Sequence, residues 1–376
     1  GLGDVYKRQN LDGIVGSGAT LLRNRVYDNE RYGLYLGSYG GTVAENVSYS
    51  NATGIYVNFY GGYDAIVRNN LVYGNANDGL SIYNGSGQQI INNTIYELTG
   101  NAVTIAGTAS DVALQNNILV AGGDYAISVA PGSQSGFSSD DNLFYTFGTG
   151  QVGLWQSIAR PTLDAWKFAA FTDQNSQFGD PLFVDPDGAG DSLGYVNPVD
   201  DGRDDDFHLQ SLYGSFHGMA LAPVLDAGTG LPVFLAEPDP LPVDGNQSPG
   251  IDRGQGAPLD EPSPNGGTVN LGAYGGTSQA SMSPESYVLV LSPNGGEGIP
   301  QETVFEIRWR AWSQAGDIDT VDIAYSTTGA AGTFTRMAED EVNDGVYSWY
   351  VNPGTFAESD QYVIYVGQTG LPDTFS

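Results

Sequence analysis

The sequence contains no cysteine, so neither a disulfide framework nor a thiolate metal site is available, and stability has to come from burial and hydrogen-bonded stacking. It carries 13 basic residues against 44 acidic ones, a formal charge of -31. Such a surface repels polyanions and argues against nucleic acid as a partner. No run of about 18 apolar residues occurs, so no helical membrane span is expected. Charged residues make up only 15% of the chain.

Glycine, with 53 residues, is abundant, and asparagine punctuates short apolar segments. Both residues tolerate the left-handed backbone of tight turns, which predicts many short strands and an all-β chain. Its 376 residues suffice for two domains. The opening Gly1-Leu2-Gly3-Asp4-Val5-Tyr6-Lys7-Arg8-Gln9 reads like a translated sequencing adapter, so residues 1-9 are set apart from the fold. The end at Phe375-Ser376 falls inside an unfinished strand pattern. Both ends read as cut, and the signal peptide expected of an extracellular or cell-surface protein is missing.

An Asn-x-x-Tyr signature recurs at Asn24, Asn46, Asn70 and Asn93, weakens at Asn117 to Val120, and returns at Asn142 to Tyr145, with spacings of 22, 24, 23, 24 and 25 residues. A second column reads small residue, apolar, any, apolar: Gly33-Leu34-Tyr35-Leu36, Gly54-Ile55-Tyr56-Val57, Gly79-Leu80-Ser81-Ile82 and Ala102-Val103-Thr104-Ile105 are examples. Two short strands in a period of about two dozen residues predict a solenoid in which each coil buries its inward side chains on its neighbours. A leucine-rich repeat shares the period but needs a Leu-x-x-Leu-x-Leu frame. The Asn column is expected to be an internal amide ladder, about 4.8 Å per coil, and to be scaffold.

Over residues 10-145 this pattern resembles the right-handed parallel β-helix repeat family, the pectate-lyase-like fold. Between 146 and 285 the repeat fades. Phrases such as Asp180-Pro181-Leu182-Phe183-Val184-Asp185, Leu225-Asp226-Ala227-Gly228 and Asn270-Leu271-Gly272-Ala273-Tyr274-Gly275 resemble the terminal region of bacterial secreted β-helix proteins. That resemblance implies last coils and an irregular cap over the exposed strand edges. Thr162 is placed to cap a short helix with Leu163, Trp166 and Ala169 or Ala170 on one face. From 286 to 376, period-two strands with Ile307-x-Trp309 and Tyr347-x-Trp349 resemble a bacterial fibronectin-III-like or immunoglobulin-like module, a truncated β-sandwich with Trp309 and Trp349 in its core.

Polysaccharide-active β-helices work on an outward face, with a cationic base and a bound cation or with paired carboxylates. Beyond the first nine residues, the solenoid's basic residues are Arg23, Arg25, Arg31 and Arg68, and none stands in a motif recognised from pectate lyases, polygalacturonases or alginate-type epimerases. Arg23 and Glu45 precede ladder asparagines in consecutive coils and are expected to form a surface ion pair. His208 and His217 are expected to be structural.

The outward middle position of the second column places Tyr35 over Tyr56; four residues on, Tyr39 lies over Tyr60, with Phe59 and Tyr63 nearby. This aromatic platform is the expected glycan-binding site, because a pyranose presents a flat apolar face to an aromatic ring. Aspartates in two clusters, Asp185, Asp187 and Asp191, then Asp204, Asp205 and Asp206, are the expected oxygen ligands of a structural Ca2+. The reading is an extracellular, polysaccharide-associated monomer that binds or processes a glycan, as lyase, epimerase or hydrolase if it is an enzyme. The alternative is a non-enzymatic adhesion protein or structural rod.

Overall fold

The computed structural model describes residues 6–7, 10–217, 224–225, 232–233, 240–256, 260–262, 265–295 and 297–369. Of the segments singled out above, residues 1–5, 8–9, 226–228 and 375–376 lie outside the described residues. The chain divides into two compact units, Gly1–Ser283 and Pro284–Ser376.

The first unit is built on a right-handed β-solenoid of about six turns. Each coil contributes three strands, one more than the repeat suggested. A representative coil runs Tyr32–Ser38, Gly41–Ala44 and Val47–Tyr49. Equivalent strands stack in parallel into two eight-stranded sheets and one six-stranded sheet, one of the larger sheets ending in an antiparallel strand, Ile158–Arg160. The extra strand was hidden because it is so short that it buries only one or two apolar residues per coil, such as Val43, Ala65 with Val67, or Ile90, too few to register as alternation.

The asparagine column forms the expected ladder. Each Nδ2 donates to the next coil's Oδ1, at 2.9 Å from Asn24 to Asn46, Asn46 to Asn70 and Asn70 to Asn93, and at 3.0 Å onward to Asn117 and Asn142. The residue just before each ladder asparagine lies in the left-handed region, φ 51 to 58°, and four of the six are Asn or Asp, which tolerate it. A second buried column, unnoticed in the sequence, runs Asn29, Asn51, Asn75 and then Glu97, joined at 2.8, 3.2 and 2.8 Å.

The helix Leu163–Ala170 closes one end of the solenoid core, with the Thr162 hydroxyl accepting from the Ala165 N–H at 3.2 Å. Trp166 is fully buried edge-on against Trp155, 5.7 Å away. Gly153 makes room for it, since a Cβ there would come within 2.2 Å of the indole.

The rest of the expected cap is not at the end. The described parts of residues 183–274 lie along the solenoid's flank, within the same compact unit. Phe183, Phe207, Leu271 and Tyr274 share a core with Tyr49 and Tyr73 from the Asn-x-x-Tyr signature. The left-handed asparagines fasten this segment: Asn69 Nδ2 donates to the Ala273 and Gly275 carbonyls, and Asn92 Nδ2 to that of Asn270. Gly272 permits the close approach, because a Cβ would lie 2.5 Å from the Thr94 hydroxyl. An Asn-Asn pair therefore serves two ends, one amide turned inward for the ladder and one outward for the flank.

The second unit holds two antiparallel three-stranded sheets, consistent with a small β-sandwich. Trp309 and Trp349 are both buried in its core, as the strand pattern required.

Candidate functional site

The longest strands of the solenoid, Asp12–Ser17, Tyr32–Ser38, Thr53–Phe59 and Asp78–Tyr83, stack side by side and turn one face outward. Alternation sends Leu34, Leu36, Ile55 and Val57 into the core and leaves Tyr35 and Tyr56 half-exposed on the outer face, directly paired in register. Their rings are 5.4 Å apart at 54°. Tyr32, which the sequence reading left out, completes the group by stacking on Tyr56 at 4.3 Å and 4°.

The other expected platform residues divide. Tyr60 is 75% exposed and near enough to Tyr35 to act on its phenol electrostatically. The ring partner of Tyr39 is Tyr63, edge-on at 5.3 Å. Phe59 is fully buried, so it is a core residue and no part of the platform. The parity of Ile55, Val57 and Phe59 already places it inward.

Burial and the neighbouring Tyr32 push the Tyr56 phenol up to about 12, and burial raises that of Tyr35. Both stay protonated at neutral pH, so they offer apolar faces and hydroxyl donors rather than bases. Polar groups border the rings. Arg31 makes a two-pronged ion pair with Asp12 and lies over the Tyr32 ring, 4.9 Å from its centre. Asn58 donates to the Tyr56 hydroxyl at 3.4 Å. One coil on, Thr104 and Asn101 share the Asp78 carboxylate at 2.8 and 3.1 Å.

Residues 13–162 match the family model of the right handed beta helix region. No curated protein matches the chain. Among solved structures, the chain is similar to the A-module of the mannuronan C-5 epimerase AlgE6 of Azotobacter vinelandii. Identity there is 16% and the TM-score 0.31, over 47% of this chain and 57% of that one.

Other candidate groups of the first unit are engaged structurally. Arg23 pairs with Glu45 at 2.7 Å, as expected, and Arg68 approaches the same carboxylate at 3.9 Å. Arg25 donates to the Gly202 carbonyl of the flank segment at 3.2 Å. His208 is buried between Tyr274 and Phe216, with Nδ1 2.6 Å from Asp206. His217 Nε2 faces both Ser215 Oγ, at 3.1 Å, and Asp244, at 2.8 Å. One nitrogen cannot pass a proton between the two, so this trio lacks the geometry of a nucleophile relay.

The six aspartates expected to bind calcium are not assembled into one ligand set. Among the described residues no three carboxylates or imidazoles form a group able to hold a metal ion. Asp204 accepts from the Gly190 N–H, Asp205 from the Gly194 N–H, and Asp206 from the His208 N–H. Asp185 and Asp187 lie close together; burial first, then that neighbour, raise the Asp185 carboxyl. The Asp204 and Asp205 side chains thereby fasten the backbone at Gly190 and Gly194. No helix among the described residues is long and apolar enough to cross a membrane.

Proposed function

We propose that the long-strand face of the β-helix region binds a glycan chain laid across successive coils. The observation that carries this reading is the gathering of Tyr32, Tyr35, Tyr56 and Tyr60 on one outward face, with protonated hydroxyls and carboxylate and amide groups at the ring edges. Rings supply the apolar contact for pyranose faces, and the edge groups take hydroxyl hydrogen bonds. In this reading the protein works outside the cell as a monomer, and the second unit is a spacer or attachment module.

The test is retention of the purified chain on a panel of neutral and uronate polysaccharides, with ultraviolet absorbance followed for unsaturated products. Tyr35→Ala with Tyr56→Ala is expected to weaken retention by about tenfold or more, at roughly 0.5–1.5 kcal/mol per aromatic contact. Unchanged retention removes the proposal. The stacking of Tyr32 on Tyr56 favours one rival, a structural rod whose outer rings only brace the sheet. For a rod, the same pair of substitutions lowers the Tm and the wild-type chain is retained on no polysaccharide.

A further inference from the structure

We propose a second glycan subsite on the solenoid's flank, a groove formed by Tyr96, Tyr145, Phe147 and Asp180 that takes a neutral pyranose. It rests on the glycan reading above but uses a different sheet and different residues. The groove has a volume of about 530 Å³, within the roughly 300–1,000 Å³ usual for small-ligand sites.

The argument comes from the tyrosine column of the Asn-x-x-Tyr repeat. Where the flank segment covers Tyr49 and Tyr73, both hydroxyls find a carbonyl: Tyr49 donates to Asp201 at 2.7 Å and Tyr73 to Gly202 at 3.0 Å. At the edge of the covered part, where Phe183 and Phe207 reach the Tyr96 ring at 6.2 and 5.6 Å, Tyr96, Val120 and Tyr145 continue in register. The smaller Val120 leaves a gap between the two tyrosines. Phe147 stands beside it, 6.0 Å from the Tyr96 ring and 6.1 Å from that of Tyr145. Gly122 makes the space for Phe147, since a Cβ there would lie 2.7 Å from its ring.

Neither the Tyr96 nor the Tyr145 hydroxyl makes a hydrogen bond among the described residues. The Asp180 carboxylate uses only Oδ1, which accepts from the Leu182 N–H at 2.9 Å. Half-buried rings with two open hydroxyls and an open carboxylate oxygen match a ligand that has an apolar face and hydroxyl donors at its edge. The charge selects among such ligands. Asp180 and Asp187 both act on the Tyr96 phenol, and no basic residue lines the groove. A uronate would meet like charge there, whereas a neutral sugar can donate to Asp180.

Hydroxyl-radical footprinting of the full chain, with and without cellohexaose, mannohexaose or an oligoguluronate, reads both faces at once. Either neutral hexasaccharide should protect Tyr145 and Phe147, and the uronate should not. Tyr145→Ala should weaken neutral-sugar binding at the groove about tenfold while leaving protection of Tyr35 unchanged. Asp180→Asn keeps the oxygen that accepts from Leu182, so the fold is retained; it should weaken the neutral sugars several-fold and narrow the discrimination against the uronate. Protection confined to Tyr32, Tyr35 and Tyr56 overturns the groove and leaves the first site standing. Protection of neither face overturns both.

Discussion

Asn70→Ala is expected to destabilise the first unit by about 3–5 kcal/mol and to lower the Tm of its transition by roughly ten degrees. The Asn70 side chain is fully buried and fully used. Its Oδ1 accepts from the Asn46 N–H at 3.1 Å and from Asn46 Nδ2 at 2.9 Å. Its Nδ2 donates to the Val43 carbonyl and to Asn93 Oδ1, both at 2.9 Å. Alanine removes all four bonds and leaves the partners in a dry interior, where each unsatisfied polar group costs about 1–3 kcal/mol. Asn24 supplies the comparison. It begins the ladder, and its own Oδ1 has no donor among the described residues. Asn24→Ala is therefore expected to cost about half as much. Urea unfolding of the three proteins decides the matter, and equal losses for the two variants would show that the ladder carries no cooperative load.

Stability is expected to fall as pH rises from about 4.5 to 8, with a slope of about 1.4 kcal/mol per pH unit for each buried carboxyl titrating in that window. Burial pushes the Glu261 carboxyl from an ordinary 4.5 up to about 8, and it raises Glu97 well above its usual range. For a raised carboxyl, the unfolded chain ionises first. The contribution is whole below about 4.5 and is lost progressively until the folded group also ionises. Glu97 offers the test because it ends the second amide column, accepting from both the N–H and Nδ2 of Asn75. Glutamine can accept both donors on one oxygen, as Asn75 does from Asn51 at 3.0 and 3.2 Å. Glu97→Gln should flatten the slope and raise stability at pH 8. Denaturant midpoints measured at pH 5, 6.5 and 8 that run parallel to wild type would refute the buried-acid explanation.

Parts of the candidate site were legible in the chain, and the reasons differ by residue. Tyr35 and Tyr56 were visible because alternation in a long strand assigns faces without ambiguity. Tyr32 was missed because it stands before the glycine that opens the repeated phrase, where parity says nothing about direction. Phe59 was misplaced although its parity with Ile55 and Val57 was available. The aspartate clusters gave no arrangement to read, because acidic side chains near in sequence look alike whether they meet a cation or backbone amides. The tertiary structure adds that Asp204, Asp205 and Asp206 accept from the N–H groups of Gly190, Gly194 and His208.

By itself, the sequence determined the solenoid, its period, the amide ladder, the helix capped by Thr162 and the buried tryptophans of the second unit. Each depends on a local requirement repeated in register: a left-handed turn, an inward apolar residue, an amide over an amide. Tertiary structure alone decided which of two similar tyrosine columns would meet solvent. Tyr49 and Tyr73 repeat as regularly as Tyr35 and Tyr56, yet a segment more than a hundred residues later covers them and supplies carbonyls for their hydroxyls. A repeat fixes how coils stack on one another. It carries no information about what will later fold against its flank, because that choice lies in long-range burial between residues with no common spacing.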